Sequence, residues 1–356
     1  MNKHNNSSIT LVIDGFKVGG GQEVYRLLIP ELSKKFENVN LIILEKTEND
    51  LQIPQYPNLK VYYIYSKNIY DFRKFLYFSK IVKTLKSSIV ISSFFRSHIW
   101  SALSKSKTTE LFWLEQNVYV NRSKGQWILL SFLSRRVSKT ICVSEIIYKL
   151  TAIKNIKNPF LSYNPINFPK EINFHNFRKT QFIFVGRFVE QKNPRLMIKS
   201  FAHFNKIYQL DARLNVVGDG PLLDEIIVLA KDLEVINNCI FFRSLSIDDT
   251  LKLMSETHTL LSSSDFEGSG LARLEAVACG CCVVTTETSG TYEFFPAGES
   301  TGFFIAQRNE SDFAKKMYES LDVNLWHKDN IKSRAEQVSR FRVNLVLSDW
   351  LRNPTI

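Results

Sequence analysis

Two glutamates stand in an E-x7-E spacing within Ser262-Ser-Ser-Asp-Phe-Glu-Gly-Ser-Gly-Leu-Ala-Arg-Leu-Glu-Ala-Val-Ala-Cys-Gly280, Glu267 ahead of a helix and Glu275 inside it. The pattern predicts a strand ending near Ser262, a glycine loop, and a helix over Gly270 to Cys279. Leu271, Leu274 and Ala278 then share one apolar stripe, and Gly280 is a suitable stop. Ser269 is placed to cap this helix, with the backbone N–H groups of Ser269, Gly270 and Leu271 pointing toward any bound anion. A carboxylate among small and apolar residues needs a partner once buried. For Glu275 the paired hydroxyls of a ribose would serve, because one carboxylate accepts from both; a salt bridge to Arg273 or a neighbour is the structural alternative.

Three other segments carry glycines or cations where phosphate chemistry needs them. Gly19, Gly20 and Gly21 lie between a strand ending at Asp14 and a helix expected near Gln22, where bare backbone can approach a phosphate. The spacing is not GxGxxG, and three glycines also make a tight turn. Arg187 and Lys192 follow the strand Gln181–Val185 at the end where open α/β sheets bind ligands. There Arg is a fork and Lys a point charge for a diphosphate, unless both are ordinary surface cations. In Val216-Val-Gly-Asp-Gly-Pro221, Gly218 and Gly220 permit a sharp exit from a strand, and Asp219 either lines a nucleotide pocket or forms its own turn.

The elements that must hold these residues alternate strand with helix along the whole chain. Strands are expected at Ile9–Asp14, Asn40–Leu44, Lys60–Tyr65, Ile89–Ser93, Leu111–Leu114 and Thr140–Val143. A second set is expected at Gln181–Val185, Arg213–Val217, Cys239–Phe242, His258–Leu261, Cys282–Thr285 and Gly302–Ile305. Runs such as Leu41-Ile-Ile-Leu44 are continuously apolar, as strands buried on both faces must be. Helices are read at Gln22–Phe36, Asn193–Tyr208 and Pro221–Glu234, the last with its proline in the first turn. This rhythm predicts an α/β protein with two parallel sheets. The domains read as 1–168 and 181–330, joined by a linker at 169–180 that follows Asn164-Pro-Ile-Asn-Phe-Pro169. Residues 331–356 read as a final helix packing across both domains, since no strand follows it.

Composition narrows the class. At 356 residues, 44% hydrophobic and 23% charged, the chain is globular and long enough for two cores. No apolar run approaches the ~18 residues of a spanning helix, and the start Met1-Asn-Lys-His-Asn-Asn-Ser-Ser8 lacks the apolar segment of a signal peptide. Five cysteines, an odd number with no pair of CxxC motifs and with three crowded at 279, 281 and 282, argue for a reducing compartment and against a disulfide framework or zinc site, so the expected location is cytoplasmic. The net charge of +11 is uneven: residues 1–170 hold 25 Lys and Arg against 11 Asp and Glu, whereas residues 171–356 hold 21 against 24. That asymmetry expects an anionic partner for the first half, unless it is compositional habit. Nucleic acid is set aside because no zinc finger, helix-turn-helix or RNP-like aromatic motif is present.

Taken in order, the GG-rich loop after the first strand, G-R-x4-K, V-G-D-G-P and E-G-x-G-L-x-x-L-E-A-x-A-C-G resemble the family 4 retaining glycosyltransferases of the GT-B fold. Smaller echoes are Cys142-Val-Ser-Glu145, Tyr163-Asn-Pro-Ile166 and Ser289-Gly-Thr-Tyr-Glu293, and the likeness covers nearly the whole chain. The resemblance implies two Rossmann-like domains facing a cleft, the first binding acceptor and the second a nucleoside-diphosphate sugar, with UDP-sugars favoured. It assigns Arg187 and Lys192 to the diphosphate, Glu275 to the ribose, Glu267 to the donor sugar with the amides of Ser269, Gly270 and Leu271 nearby, and Gly19 to Gly21 to the phosphates on closure. No cofactor and no metal are implied, because cations and helix N-termini neutralise the departing diphosphate.

Two positions depart from the family pattern. Many relatives have Glu-His-Asn where this chain has Glu115-Gln-Asn117, so Gln116 stands at a catalytic position without a group that titrates near neutral pH. His98 is the nearest alternative, with a structural role as its competing reading. Ser269 replaces the usual aromatic and alters the sugar pocket's edge.

The expected acceptor is a glycan or lipid-linked oligosaccharide of bacterial surface polysaccharide assembly. Segments 67–86 and 125–136 mix cations with apolar residues and would lie on an anionic membrane at the inner face of the plasma membrane, unless their apolar faces are core. The rival functions are a catalytically silent sugar-binding relative and another GT-B activity such as a phosphorylase or epimerase.

Overall fold

The computed structural model describes residues 7–16, 19–46, 52–116, 122–172, 180–295 and 298–352. The chain divides into two compact units, residues 1–165 together with 343–356, and residues 166–342. The first unit is built on β1 (Ser8–Gly15), β2 (Asn38–Glu45), β3 (Leu59–Tyr63), β4 (Ile89–Ser93), β5 (Glu110–Glu115), β6 (Lys139–Cys142) and β7 (Pro159–Leu161). These pair in the order β3-β2-β1-β4-β5-β6-β7, and every pairing is parallel. Six consecutive residues of β2, Val39 to Leu44, are buried, because helices cover both faces of the sheet. β7 was not expected; it is three residues long and starts with a proline, which only an edge strand tolerates.

The second unit has β8 (Thr180–Val185), β9 (Ala212–Val217), β10 (Cys239–Phe242), β11 (Thr259–Ser262), β12 (Cys282–Thr286) and β13 (Phe303–Ala306), ordered β10-β9-β8-β11-β12-β13 and again all parallel. Its core is rich in phenylalanine: Phe182 meets Phe204 edge-on at 5.1 Å, and Phe184 meets Phe188 at 5.5 Å. Both sheets are therefore Rossmann-like. In each, the order reverses beside the first strand, between β1 and β4 and between β8 and β11. The chain leaves those neighbouring strands in opposite directions there, which opens a crevice at their carboxyl ends.

Several local readings change. The first helix begins at Gly20, not Gln22, with Gly19 as its N-cap. Pro221 lies in a turn ahead of the helix Leu223–Asp232, because the exit from β9 uses residues 218–222 before the chain can coil. The units change at Pro165 and Ile166, inside the Asn164-Pro-Ile-Asn-Phe-Pro169 segment; residues 173–179 of the expected linker lie outside the described residues.

The single helix read across 331–356 is two helices within the described residues, which end at 352. Lys328–Glu336 belongs to the second unit and Val343–Leu351 to the first, with a 3-10 turn at Ser339–Phe341 between them. The last helix packs on Gly20–Lys35 and is held at both ends of its final turns. Ser162 Oγ donates to the Asp349 carboxylate. The nearly buried Lys139 donates from Nζ to the carbonyls of Trp350 at 2.8 Å and Arg352 at 2.6 Å, with its ammonium over the Phe160 ring at 4.5 Å. A cation at a helix C-terminus satisfies carbonyls that the helix itself cannot. Lys139→Met keeps the apolar stem and removes both bonds, so unfolding free energy should fall by about 2–3 kcal/mol. Amide exchange over residues 343–352 should rise with it; unchanged exchange there would mean that Trp350 packing holds the helix unaided.

Candidate functional site

In the second unit the loops leaving β8 and β9 pair with each other. Gly186 N donates to Val217 O at 3.0 Å, Phe188 N to Asp219 O at 2.9 Å, and Leu222 N to Phe188 O at 3.1 Å. The approach is so close that a Cβ on Gly218, at φ +134°, would lie 2.0 Å from Gly186 O. One on Gly220, at φ +152°, would lie 2.6 Å from Phe188 O. Both residues are glycine for backbone packing as well as for dihedral angle. Asp219 takes the turn-forming role: its carboxylate accepts from Gly220 N at 2.7 Å and pairs with Arg243 at 3.6 Å.

Beyond that junction the chain reaches Arg187, which is exposed, and then the 3-10 turn Glu190–Lys192. Ser263, just past β11, donates to the carbonyls of Lys192 at 2.9 Å and Asn193 at 2.8 Å, fixing this turn to the neighbouring strand exit. Lys192 Nζ thereby meets the buried Glu267 at Oε1 in a part-buried ion pair, and Ser264 Oγ donates to the same oxygen at 2.9 Å. Ser289 Oγ holds the Glu267 backbone carbonyl at 2.8 Å. Burial alone would raise the Glu267 pKa, but the charges of Lys192 and Arg273 prevail and hold the carboxyl below its ordinary range.

The helix after Glu267 spans Leu271–Ala278 and buries every side chain from Arg273 to Ala278, more than the predicted stripe. Ser269 is not its N-cap residue. Gly270 is the N-cap, in the left-handed region at φ +60°, and no side-chain cap bond forms, because the entry from a left-handed residue puts Ser269 one position too early. Glu275 accepts from Asn167 Nδ2 at 2.7 Å and from Asn167 N at 3.3 Å. Arg273 does not bridge to it. Its Nη1 turns instead to the hydroxyls of Thr285 at 3.1 Å, Thr288 at 3.2 Å and Thr291 at 3.3 Å, with the guanidinium carbon 5.3 Å from the Phe295 ring centre. Thus Lys192, Glu267 and Gly270 are brought together, while Glu275 faces the start of the unit.

In the first unit, Gln116 follows β5 and meets the glycine segment directly. Its Nε2 donates to Ser93 Oγ at 3.1 Å and Gly21 O at 3.4 Å, and a Cβ on Gly21 would lie 2.9 Å from its Oε1. Asn117 of the same motif lies outside the described residues. His98 is enclosed: it is fully buried, stacks on Trp113 at 4.9 Å, and has Nδ1 3.0 Å from Ser92 Oγ and Nε2 3.4 Å from Glu115 Oε1. Its structural reading is the one the packing supports.

Sequence reasoning missed two carboxylates here. Asp14 at the end of β1 accepts from Ser97 N at 2.8 Å, Ser97 Oγ at 2.5 Å and Arg96 N at 3.3 Å. It thereby caps from outside the helix Phe95–Ser104, whose own N-cap, Phe94, has no side chain able to do so. Glu115 takes a two-pronged bond from Arg122, 3.1 Å on each oxygen, and Arg122 in turn covers the Trp127 ring at 4.8 Å. An adjacent Glu-Gln pair was the only local signal; nothing in the spacing announced Arg122 as partner.

Burial raises the Glu115 pKa, yet Arg122 and His98 together bring it down to about 2. A carboxyl depressed in the folded state adds stability that is complete above its unfolded value, about 4.5, and lost as pH falls through the folded one. Acid unfolding of the wild type should therefore steepen between those limits. Glu115→Gln should flatten that stretch and lower stability at neutral pH by on the order of 3 kcal/mol. Parallel acid titrations of both proteins by circular dichroism would expose identical slopes if Glu115 were unimportant.

Residues 167–338, nearly all of the second unit, match the family described as glycosyl transferases group 1. Over 360 residues the chain is 23% identical to the GalNAc-alpha-(1->4)-GalNAc-alpha-(1->3)-diNAcBac-PP-undecaprenol alpha-1,4-N-acetyl-D-galactosaminyltransferase of Campylobacter jejuni, covering 97% of each chain. It is 25% identical over 370 residues to the N-acetylgalactosamine-N,N'-diacetylbacillosaminyl-diphospho-undecaprenol 4-alpha-N-acetylgalactosaminyltransferase of the same species, covering 91% of this chain and 94% of that one. The crystal structure of Anabaena HepE with UDP and glucose matches at a TM-score of 0.78 and 13% identity, over 97% of this chain and 98% of that chain, a likeness of fold alone.

Proposed function

We propose, for a chain that belongs to the group 1 glycosyltransferases and has their GT-B fold, that the reaction is retaining transfer of a sugar from a nucleoside-diphosphate sugar to a hydroxyl of a glycan or lipid-linked oligosaccharide. The observation that carries this reading is the cluster of Lys192, Ser264 and Glu267 at the N-terminus of Leu271–Ala278, on the crevice where the second sheet reverses its order. A helix N-terminus with a nearby lysine suits a diphosphate. Arg187 is exposed on the same loop, able to fork onto phosphate oxygens. Glu267 then meets hydroxyls of the donor sugar, and Glu275 the ribose, exchanging its Asn167 contact.

In the step itself the bond from the anomeric carbon to the β-phosphate oxygen breaks and a bond to the acceptor oxygen forms on the same face. The acceptor proton passes to the departing diphosphate. The protein's task is to stabilise the leaving charge and to place the acceptor. Glu267 is not needed as a nucleophile, and its ion pair with Lys192 fits an electrostatic role. Gln116 positions the glycine segment and offers an amide to the donor rather than an imidazole. Uridine is the favoured base, in line with the UDP in HepE. The undecaprenol-linked acceptors of the two Campylobacter enzymes favour a place in bacterial surface glycan assembly.

A lipid-linked acceptor requires access to a membrane surface, and two helices of the first unit are suited to it. Phe72–Leu85 buries Phe78 and Val82 yet exposes Phe72, Leu76 and Tyr77 beside Arg73, Lys74, Lys80 and Lys83. Lys124–Leu133 buries Leu130 and Leu133 yet exposes Ile128, Leu129 and Phe132, with Arg135 and Arg136 just beyond. Each thus has a core face and a second apolar face ringed by cations. No helix of the described residues is long and apolar enough to cross a membrane. Each cation near anionic lipid contributes about 1 kcal/mol.

Two measurements test the reading. Calorimetric titration with UDP, GDP, ADP and CMP, with chelator present, should show tight binding of one nucleotide, weakened by Arg187→Ala and lost in Glu275→Ala. Because Glu275 also holds Asn167, Glu275→Gln serves as the folding control. Absence of binding for all four would sink the donor assignment. In vesicle sedimentation, binding should require anionic lipid and fall with salt; equal binding to neutral vesicles would remove the membrane role.

A further inference from the structure

Arg273 is out of place by every simple rule. It lies in the first turn of Leu271–Ala278, at the positive end of the helix dipole, and its side chain is 2% exposed. Only Nη1 is satisfied, by the three threonines. Nε and Nη2 are buried and have no hydrogen-bond partner. Those two nitrogens form the edge of a guanidinium that offers parallel N–H groups to an anion. Gly270 lies against this edge: a Cβ there would sit 2.4 Å from Nε and 2.5 Å from Nη2.

The same guanidinium lines a cavity of about 20 Å³ together with Lys192, Ser264, Glu267 and Gly270. Among the residues lining it, two cations face one carboxylate. That carboxylate is already engaged by Lys192 and Ser264. A buried excess of positive charge is costly unless an anion joins it, and breaking such an arrangement is ordinarily unfavourable. Purely structural roles for Arg273 account for Nη1 and the Phe295 contact but leave the charge and the fork unexplained.

We propose that Arg273 is a positioning residue for the donor, resting on the donor site argued above. Its charge lies beneath the N-terminus of Leu271–Ala278 and adds to Lys192 in attracting the diphosphate. It also keeps Glu267 ionised, so that the carboxylate is ready to accept from sugar hydroxyls. Affinity for the diphosphate, rather than for the nucleoside, is the property it sets. Gly270 is glycine in this scheme because any side chain would displace the fork.

The test compares wild type, Arg273→Met and Arg273→Lys in calorimetric titrations with UDP and with uridine, and with the corresponding pair for whichever base the wild type prefers. Arg273→Met should lose about tenfold or more in diphosphate affinity while nucleoside affinity stays within about twofold. Arg273→Lys should recover most of the diphosphate affinity, because it keeps the charge. Arg273→Gln carries the same comparison should the Met variant not fold, since its amide retains a donor for the threonines. Equal losses for diphosphate and nucleoside, or no rescue by lysine, would overturn the inference and leave Arg273 a packing residue. Failure of the wild type to bind any diphosphate would instead overturn the donor site itself.

Discussion

A carboxylate can be buried in a protein only if cations and donors are brought to it, and Glu267 is such a carboxylate. Meeting that requirement organises the carboxyl edge of the second sheet. Lys192 must fold back from the loop after β8, so Ser263 ties that loop to the exit of β11. The loop after β8 must in turn be held in place, and the glycines at 218 and 220 let the β9 exit lie directly against it. The helix Leu271–Ala278 then starts beside the carboxylate from a left-handed Gly270. Three strand exits are thus coordinated around one ion pair.

The two units use a common plan for different electrostatic ends. Both are parallel sheets whose order reverses beside the first strand, and both collect polar side chains at the reversal. In the first unit, the collected carboxylates are consumed by the protein itself. Asp14 caps a helix, and Glu115 is closed by Arg122 and His98. In the second unit the cavity beside Glu267 retains an excess of positive charge through Arg273. A self-satisfied network makes a rigid platform, while a surplus of positive charge suits an anionic ligand such as the diphosphate proposed above.

The amphipathic helices of the first unit illustrate why a binary choice between core and surface was too simple. Phe72–Leu85 and Lys124–Leu133 are each apolar on two sides. A helix needs only part of its circumference to pack on a sheet, so aromatic and aliphatic residues on the remaining arc are available to another apolar phase. The cations along that arc give it a positive sign, in a half of the chain that has only 11 Asp and Glu to offset its 25 Lys and Arg.

The alternation of apolar strands with helix-length segments determined the two parallel sheets, and twelve of the strands lie where that pattern places them, because covering both faces of a sheet demands long apolar runs. The glycine and charge motifs were equally legible, since backbone contact and ion pairing restrict which residue types can occupy them. What remained hidden were relations between residues far apart in the chain. Arg122 closing Glu115, Asp14 capping Phe95–Ser104, Lys139 holding the last helix and Arg273 turning from Glu275 to the threonines each depend on which strand exits become neighbours. The break between Glu336 and Val343 has the same origin, because the final helix is placed by the surface of the first unit and not by its own periodicity. Local pattern selects an element by its period; only the folded sheet order decides which side chains share a buried volume and must satisfy one another there.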